Sequence, residues 1–303
     1  MKPYAKPPLP PKALLRTLAS RGLMIEDPSA ALHALKRVGY YRLSGYWLPF
    51  KQPDDSFESG LTFATVIGLY ELDRQFRMLV LDAIERVEVA LRSAIADRFA
   101  NRYGVFGHLD RHNFRPSFDP RRRVSHDDWL ASLTRAGERS KELFIAHHSQ
   151  TYHGFPALPV WKMAEVITLG DLSMWFAALR DRDRAPIAAL YGVDGVVLTS
   201  WLHTLSHVRN ICAHHSRLWD RGLSIVPKVP NRDPRWLPPG VPHRNRAWIA
   251  LLILRQMLCP HHQGIDWQAA IEELLTPIAG APRWRNRMGL PEDWMEHPLW
   301  NLT

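Results

Sequence analysis

The sequence predicts an all-α protein, and three observations carry that expectation. From about Thr65 to Tyr103, Leu69, Leu72, Phe76, Leu79, Val80, Ala83, Val87, Ala90, Leu91 and Ala94 fall on one stripe at helical spacing, with no proline between them. Shorter stretches on either side repeat the helical period. No run shows the strict alternation of a half-buried strand, and there is neither an internal repeat nor a heptad run.

Taken in order, residues 1–12 are rich in proline and lysine and read as an arm. Short helices are predicted over Lys12–Arg21 and Pro28–Val38, and an aromatic-rich turn over Gly39–Trp47. Residues 51–60 are polar and read as a loop before the long helix of 65–103. Residues 104–125, with glycines, prolines and the run Arg121-Arg122-Arg123, read as a basic loop. Helices resume over 126–148, and Pro156 and Pro159 frame the start of another that Gly170 is expected to break. Further helices are expected near 184–191 and from Leu198 to about Arg217. The prolines of 226–242 exclude helix there, but the apolar helix expected over Arg246–Leu258 returns the chain to a core. A last helix is expected over 265–276, before a tail bearing Trp284, Trp294 and Trp300.

Composition narrows the function classes. The chain has 303 residues, a formal charge of +9 and 46% hydrophobic residues. That is a globular chain whose basic balance favours a polyanionic partner. Cys212 and Cys259 are too few for a disulfide framework, which points to a reducing, cytoplasmic compartment. The N-terminal residues lack the apolar core of a signal peptide, and the longest apolar run, Ile249–Leu254, is too short to span a bilayer.

The segment Val208-Arg209-Asn210-Ile211-Cys212-Ala213-His214-His215-Ser216-Arg217-Leu218-Trp219 carries the chemistry. Arginine grips a phosphate through a two-pronged fork, and histidine moves protons near neutral pH. On a helical wheel Leu202, Leu205, Val208, Cys212, Ala213 and Trp219 share one arc, while His203, His207, Asn210, His214 and Arg217 share another. Arg209 falls on the apolar arc. Two readings stand for it: a buried ion pair with Asp73, Glu85 or Glu88, or a phosphate-binding arginine at an interface. His214 is likewise either a core histidine bonded to a carbonyl or a proton-transfer group. A bare Arg-x4-His spacing discriminates little, because Arg121…His126 repeats it and Arg102…His108 approaches it.

The segment resembles the Arg-x4–6-His signature of HEPN-type ribonucleases, in which a polar residue often follows the arginine. The wider set of motifs resembles the Abi-like abortive infection family of the AbiD/AbiF type. Tyr40-Tyr41-Arg42-Leu43-Ser44-Gly45-Tyr46 with Pro49-Phe50 is similar to that family's N-terminal motif. Tyr70–Arg77 with Glu85, Glu88 and Arg92 is similar to its long helix, and Leu158-Pro159-Val160-Trp161…Glu165…Leu169-Gly170-Asp171-Leu172 to its central motif. The likeness covers roughly residues 30–225.

The resemblance implies a HEPN-type fold; with the residue pattern it gives a HEPN-like helical domain over 61–280 with Pro-rich irregular segments, an N-terminal arm and helices over 1–60 packed on it, and a Trp-rich tail over 281–303. It implies phage defence, toxin-antitoxin behaviour and a structured non-coding RNA as partner. HEPN domains pair so that two motifs line one cleft, which here implies a homodimer. The chemistry implied is attack of a ribose 2′-hydroxyl on the neighbouring phosphate, with no cofactor and no metal. His214 would transfer the proton, Arg209 stabilise the phosphate charge and Asn210 orient either group. His207, His215 and Arg217 are candidates to contact RNA. Elsewhere Arg121, Arg122, Arg123, Arg37, Arg42 and the arginines at 283, 285 and 287 are candidates to hold it, with Tyr41, Tyr40, Tyr46 and Trp47 stacking on bases or else packing in the core.

Two rival readings differ in kind. A non-catalytic RNA-binding protein of the same fold would keep the basic surface without turnover. A metal hydrolase would use the i, i+4 pair His203 and His207 with His214-His215 or His261-His262, although no carboxylate stands between the first two as in zinc-protease helices.

Overall fold

The computed structural model describes residues 3, 5, 7–118 and 124–302. It is all-α. The described residues form 13 α-helices joined by loops and short 3₁₀ turns, and their only β-type pairings are three isolated bridges. Among these residues no single helix is long and apolar enough to cross a membrane. The chain divides into two compact units, Met1–Arg77 and Met78–Thr303.

In the first unit α1 (Pro11–Ser20) and α2 (Pro28–Arg37) pack together through Leu18, Ala31 and Leu35. The Asp27 carboxylate starts α2 by accepting from the backbone N–H groups of Ser29 and Ala30, both at 2.9 Å. Residues 40–47, expected to be a turn, instead form helix α3 (Tyr40–Trp47). Gly39 supplies the positive φ of 91° that ends α2, and burial of Leu43, Tyr46 and Trp47 holds the new helix down. The long helix α4 (Phe63–Tyr103, 41 residues) matches the predicted stripe. Its Asp73 is fully buried, paired with Arg77 and accepting from the Tyr46 hydroxyl at 2.7 Å, so the Tyr46 phenol is pushed well above its ordinary range by burial and by that carboxylate.

The second unit continues with α5 (His126–Arg139), α6 (Leu143–Thr151), α7 (Val160–Val166), α8 (Leu169–Ala178), α9 (Asp181–Leu190), α10 (Gly195–Ala213), α11 (Ala247–Leu258), α12 (Ile265–Ala279) and α13 (Pro282–Met288). Helix α10 is central and packs on α8, α9 and α11. The break between α7 and α8 lies at Thr168, not Gly170. Thr168 and Asp171 form a reciprocal capping box, and Gly170 sits inside the first turn of α8, where an added Cβ would stand 3.5 Å from the Ser206 hydroxyl of α10. The Pro-rich segment folds back on the core, with Trp236 fully buried 5.1 Å from the Trp201 ring and the Trp201 indole donating to the Lys228 carbonyl at 2.9 Å. The tail closes a second aromatic cluster, in which Trp294 and Trp300 pack against Trp248 of α11.

Candidate active site

Helix α10 starts at Asp194, whose carboxylate accepts from the N–H groups of Val196 and Val197 at 2.7 and 2.8 Å. Val197, Leu198, Trp201, Leu202, Leu205, Val208, Ile211 and Cys212 are all buried and fix its rotation about its axis. The helix ends at Ala213, four residues short of the Arg217 expected from its pattern. The ending is a Schellman motif. The Ser216 N–H donates to the Ile211 carbonyl at 2.9 Å and the His215 N–H to the Cys212 carbonyl at 3.0 Å, and His215 takes the left-handed conformation with φ 56°. Glycine ordinarily fills that position, and a histidine there carries a backbone cost on the order of 1 kcal/mol.

This ending turns the motif outward. Arg209, Asn210, His214 and His215 are exposed, while Arg217, His207 and His203 are half-buried. Arg209 is therefore not the core residue of a buried ion pair. Leu202, Leu205, Val208 and Cys212 on its arc are buried, whereas Arg209 is exposed and Ala213 beside it half-buried. The carboxylates proposed for it lie elsewhere: Asp73 pairs with Arg77, Glu88 with Arg92, and Glu85 is exposed. Arg209 donates instead to the Asn210 side-chain oxygen at 3.4 Å, and the Asn210 carbonyl accepts from the His214 N–H at 3.0 Å. Asn210 thus touches both the cation and the residue bearing the imidazole. Among the described residues the His214 ring makes no hydrogen bond or ion pair, which leaves it open to a ligand. The five-residue separation sets the two α-carbons about 7.5 Å apart along the axis. Five residues also turn the helix by about 140°, so a ligand shared by the two exposed side chains would have to reach round the end of α10.

Of the remaining predicted residues, the His207 ring lies 3.0 Å from the Ser224 hydroxyl through Nε2. Burial, and then the Arg221 charge, lower its pKa, so it is neutral at pH 7 and suited to hydrogen bonding. Tyr41 and Arg42 lie in α3 of the first unit, Tyr41 with 93% of its surface exposed, whereas Tyr46 and Trp47 are core residues. Arg121, Arg122 and Arg123 lie outside the described residues.

The two competing Arg/His spacings separate cleanly from this one. His126 is 3% exposed, with Nε2 at 2.9 Å from the His108 carbonyl, and His108 is 2% exposed. Among the described residues both side chains of an Arg/His spacing stand exposed only where Arg209 precedes His214 and His215. No three His, Cys, Asp or Glu side chains gather into a metal-ligand cluster among those residues either.

Contacts distant in sequence hold the segment after the motif. Thr204 donates to the Ile225 carbonyl at 3.4 Å, and Ser200 accepts from the Lys228 N–H at 2.8 Å. The buried Asp220 accepts from Arg287 of α13 at 2.6 Å, and Trp219 meets Trp284 edge-on at 5.2 Å. The tryptophan tail is thereby tied to the chain leaving the candidate site. Sequence reasoning did not single out Asp220 and offered Arg287 only as an RNA contact, whereas the structure pairs the two; no local signal links residues so far apart.

The central and long-helix motifs serve the fold. Arg92 of α4 pairs with Glu88, donates to the Ala164 carbonyl, and donates to the Ile167 carbonyl at 2.7 Å, closing the end of α7. Asp171 accepts from the Thr168 hydroxyl at 2.7 Å and from Ser132 at 3.3 Å. The sequence model of the Abi-like protein family matches residues 33–220, which include these motifs and the Arg209–His214 segment. No curated protein and no solved structure matches the chain. With the match running through more than half of its residues, from the α2 helix to the end of the candidate site, the chain belongs to the Abi-like protein family.

Proposed function

We propose that the protein is an endoribonuclease acting in abortive infection, with a HEPN-type site made by Arg209, Asn210 and His214. The observation that carries this reading is the outward-facing pair of Arg209 and His214, set against the buried histidines of the competing spacings. Family membership suggests the abortive-infection role, and the basic charge of +9 suits a polyanionic substrate.

In the proposed reaction the 2′-hydroxyl oxygen attacks the adjacent phosphorus and the bond to the 5′-oxygen breaks. The products are a 2′,3′-cyclic phosphate and a 5′-hydroxyl, and no water is consumed. A base takes the 2′ proton and an acid returns one to the leaving oxygen. Arg209 stabilises charge on the phosphoryl oxygens, and His214 supplies one proton transfer. A homodimer that sets two copies of the motif against one phosphate would supply both. No cofactor enters the scheme. DNA lacks the attacking hydroxyl and is not cut. A structured non-coding RNA is the proposed partner, either as guide or as antitoxin, and sequencing the RNA that co-purifies with His214→Ala protein would identify it.

The test is cleavage of RNA in chelator by wild type and His214→Ala, with the new ends identified chemically. Wild type is expected to leave cyclic phosphate ends, and the variant to lose about 10²–10⁴-fold in rate. Equal cutting by the two proteins would sink the reading. RNA binding without cutting by wild type would support the non-catalytic alternative instead.

A further inference from the structure

Away from α10, the loop after α4 and the start of α9 enclose an open cleft of about 750 Å³, lined by Arg111, His112, Arg115, Arg180, Asp181 and Arg182 among others. Arg111 donates to the Pro116 carbonyl, Arg180 to the His112 carbonyl, and Arg115 to the Ala177 carbonyl at 3.4 Å. A carbonyl aims a guanidinium without cancelling its charge. Among the described residues none of these three arginines reaches a carboxylate. The acids nearby are already engaged: Asp181 with Arg184 at 2.5 Å, Asp110 with the His112 ring at 3.0 Å, and the buried Asp183 with Arg98, Arg102, Arg182 and the Tyr103 hydroxyl. The cleft is therefore a pre-aimed concentration of positive charge.

Its aromatic lining is turned away. Phe114, which lines the cleft, and its neighbour Phe118 are 2% and 4% exposed and stack on His126 and Trp129 inside the unit. Of the lining rings only the His112 imidazole is exposed, and it is engaged by the Asp110 carboxylate at 3.0 Å, so the cleft offers a base no phenylalanine, tyrosine or tryptophan face. Arginines without a stacking platform hold phosphates and position a strand without reading its sequence.

We propose that this cleft binds the phosphodiester backbone of an RNA strand, sequence-independently, as an anchoring site built from residues distinct from Arg209, Asn210 and His214. The RNA as ligand rests on the proposed function; the phosphate chemistry of the cleft does not.

The test uses the full chain carrying His214→Ala, so that RNA is not consumed. His112→Glu/Arg182→Glu places negative charge in the cleft at two exposed side chains while sparing the arginines that brace the loop. His33→Glu/Arg232→Glu makes the same change of charge at exposed positions outside it. Binding of a short single-stranded RNA is followed by fluorescence anisotropy between about 50 and 200 mM salt. The cleft variant is expected to bind at least about ten-fold more weakly than the control variant, with a salt dependence shallower by about one contact. Equal weakening in both variants overturns the proposal. So does a cleft variant that loses ATP or inorganic phosphate binding but keeps RNA, which would assign the cleft to a small phosphate ligand. Cleft-dependent RNA binding with no cleavage by wild type would remove the nuclease and leave the cleft. Cleavage by wild type with cleft and control variants binding alike would remove the cleft and leave the nuclease.

Discussion

Two polar motifs in the same unit end in opposite ways. At the junction of α7 and α8 the capping and bracing groups have internal partners: Thr168 and Asp171 cap each other, Ser132 adds a third bond, and Arg92 pairs with Glu88 while closing the carbonyls of Ala164 and Ile167. At the end of α10 the motif faces out, and the 3.4 Å contact from Arg209 to Asn210 is the one side-chain bond that Arg209, Asn210 and His214 make among the described residues. The first arrangement holds helices together. The second leaves a cation and an imidazole open to a ligand. A family motif can thus mark a brace as readily as a site, and burial decides between them.

Substitutions at the two places should therefore fail differently. His214→Ala is expected to abolish RNA cutting while unfolding within about 0.5 kcal/mol of wild type, because an exposed side chain with no partner contributes little to stability. Arg92→Met should do the reverse. It leaves the half-buried Glu88 unpaired and two carbonyls uncapped, which costs on the order of 3 kcal/mol. Chemical denaturation and cutting rate per folded molecule, measured on both proteins, separate the roles. A strongly destabilised His214→Ala, or an unaffected Arg92→Met, would erase the distinction.

The histidines extend the comparison to pH. His108 is 2% exposed, and burial followed by the neighbouring His126 pushes its pKa down to about 4. The unfolded chain, with an ordinary histidine pKa near 6.5, therefore takes up the proton first. The contribution is complete above about pH 6.5 and is lost as pH falls toward 4, amounting to as much as about 3 kcal/mol. His126, shifted the same way chiefly by burial, steepens the same limb. Melting His108→Leu protein across this range should show a shallower acid limb than wild type. Superimposable limbs for wild type and His108→Leu would show that His108 does not titrate on unfolding.

Legibility in the sequence follows the same physical divide. The α4 stripe was readable because ten apolar residues at helical spacing leave one interpretation, and the all-α class followed from it. Helix α3 was not readable, because Gly39 and a cluster of aromatics look like a turn until Leu43, Tyr46 and Trp47 are seen buried. Asn210 and His214 fell on the polar face of the wheel and are exposed as that implies. For Arg209 the wheel left a buried ion pair and a phosphate-binding arginine equally open, because it gives a direction but not which single position on a mostly buried arc stays uncovered. Arg92 with Ile167, Asp220 with Arg287, and the arginines of the cleft are brought together only by tertiary packing, for which spacing along the chain offers no signal.

The smallest expected effect probes how α10 is made to stop. His215 holds a left-handed conformation at φ 56° that glycine adopts without cost. Comparing His215→Gly with His215→Ala removes the side chain in both and relieves the backbone in one, so the difference isolates the conformational cost. His215→Gly should unfold about 1 kcal/mol less readily than His215→Ala. Equal stability of the two would mean that the cap relaxes out of the left-handed region once the ring is gone. The cutting rates add a second reading. If the ring of His215 contacts RNA, both variants lose activity while only one is destabilised by the backbone. If the residue serves only to end the helix and aim His214, His215→Gly keeps the wild-type rate. The second outcome would make the strained cap a positioning device, with stability given up so that the imidazole one residue earlier faces solvent.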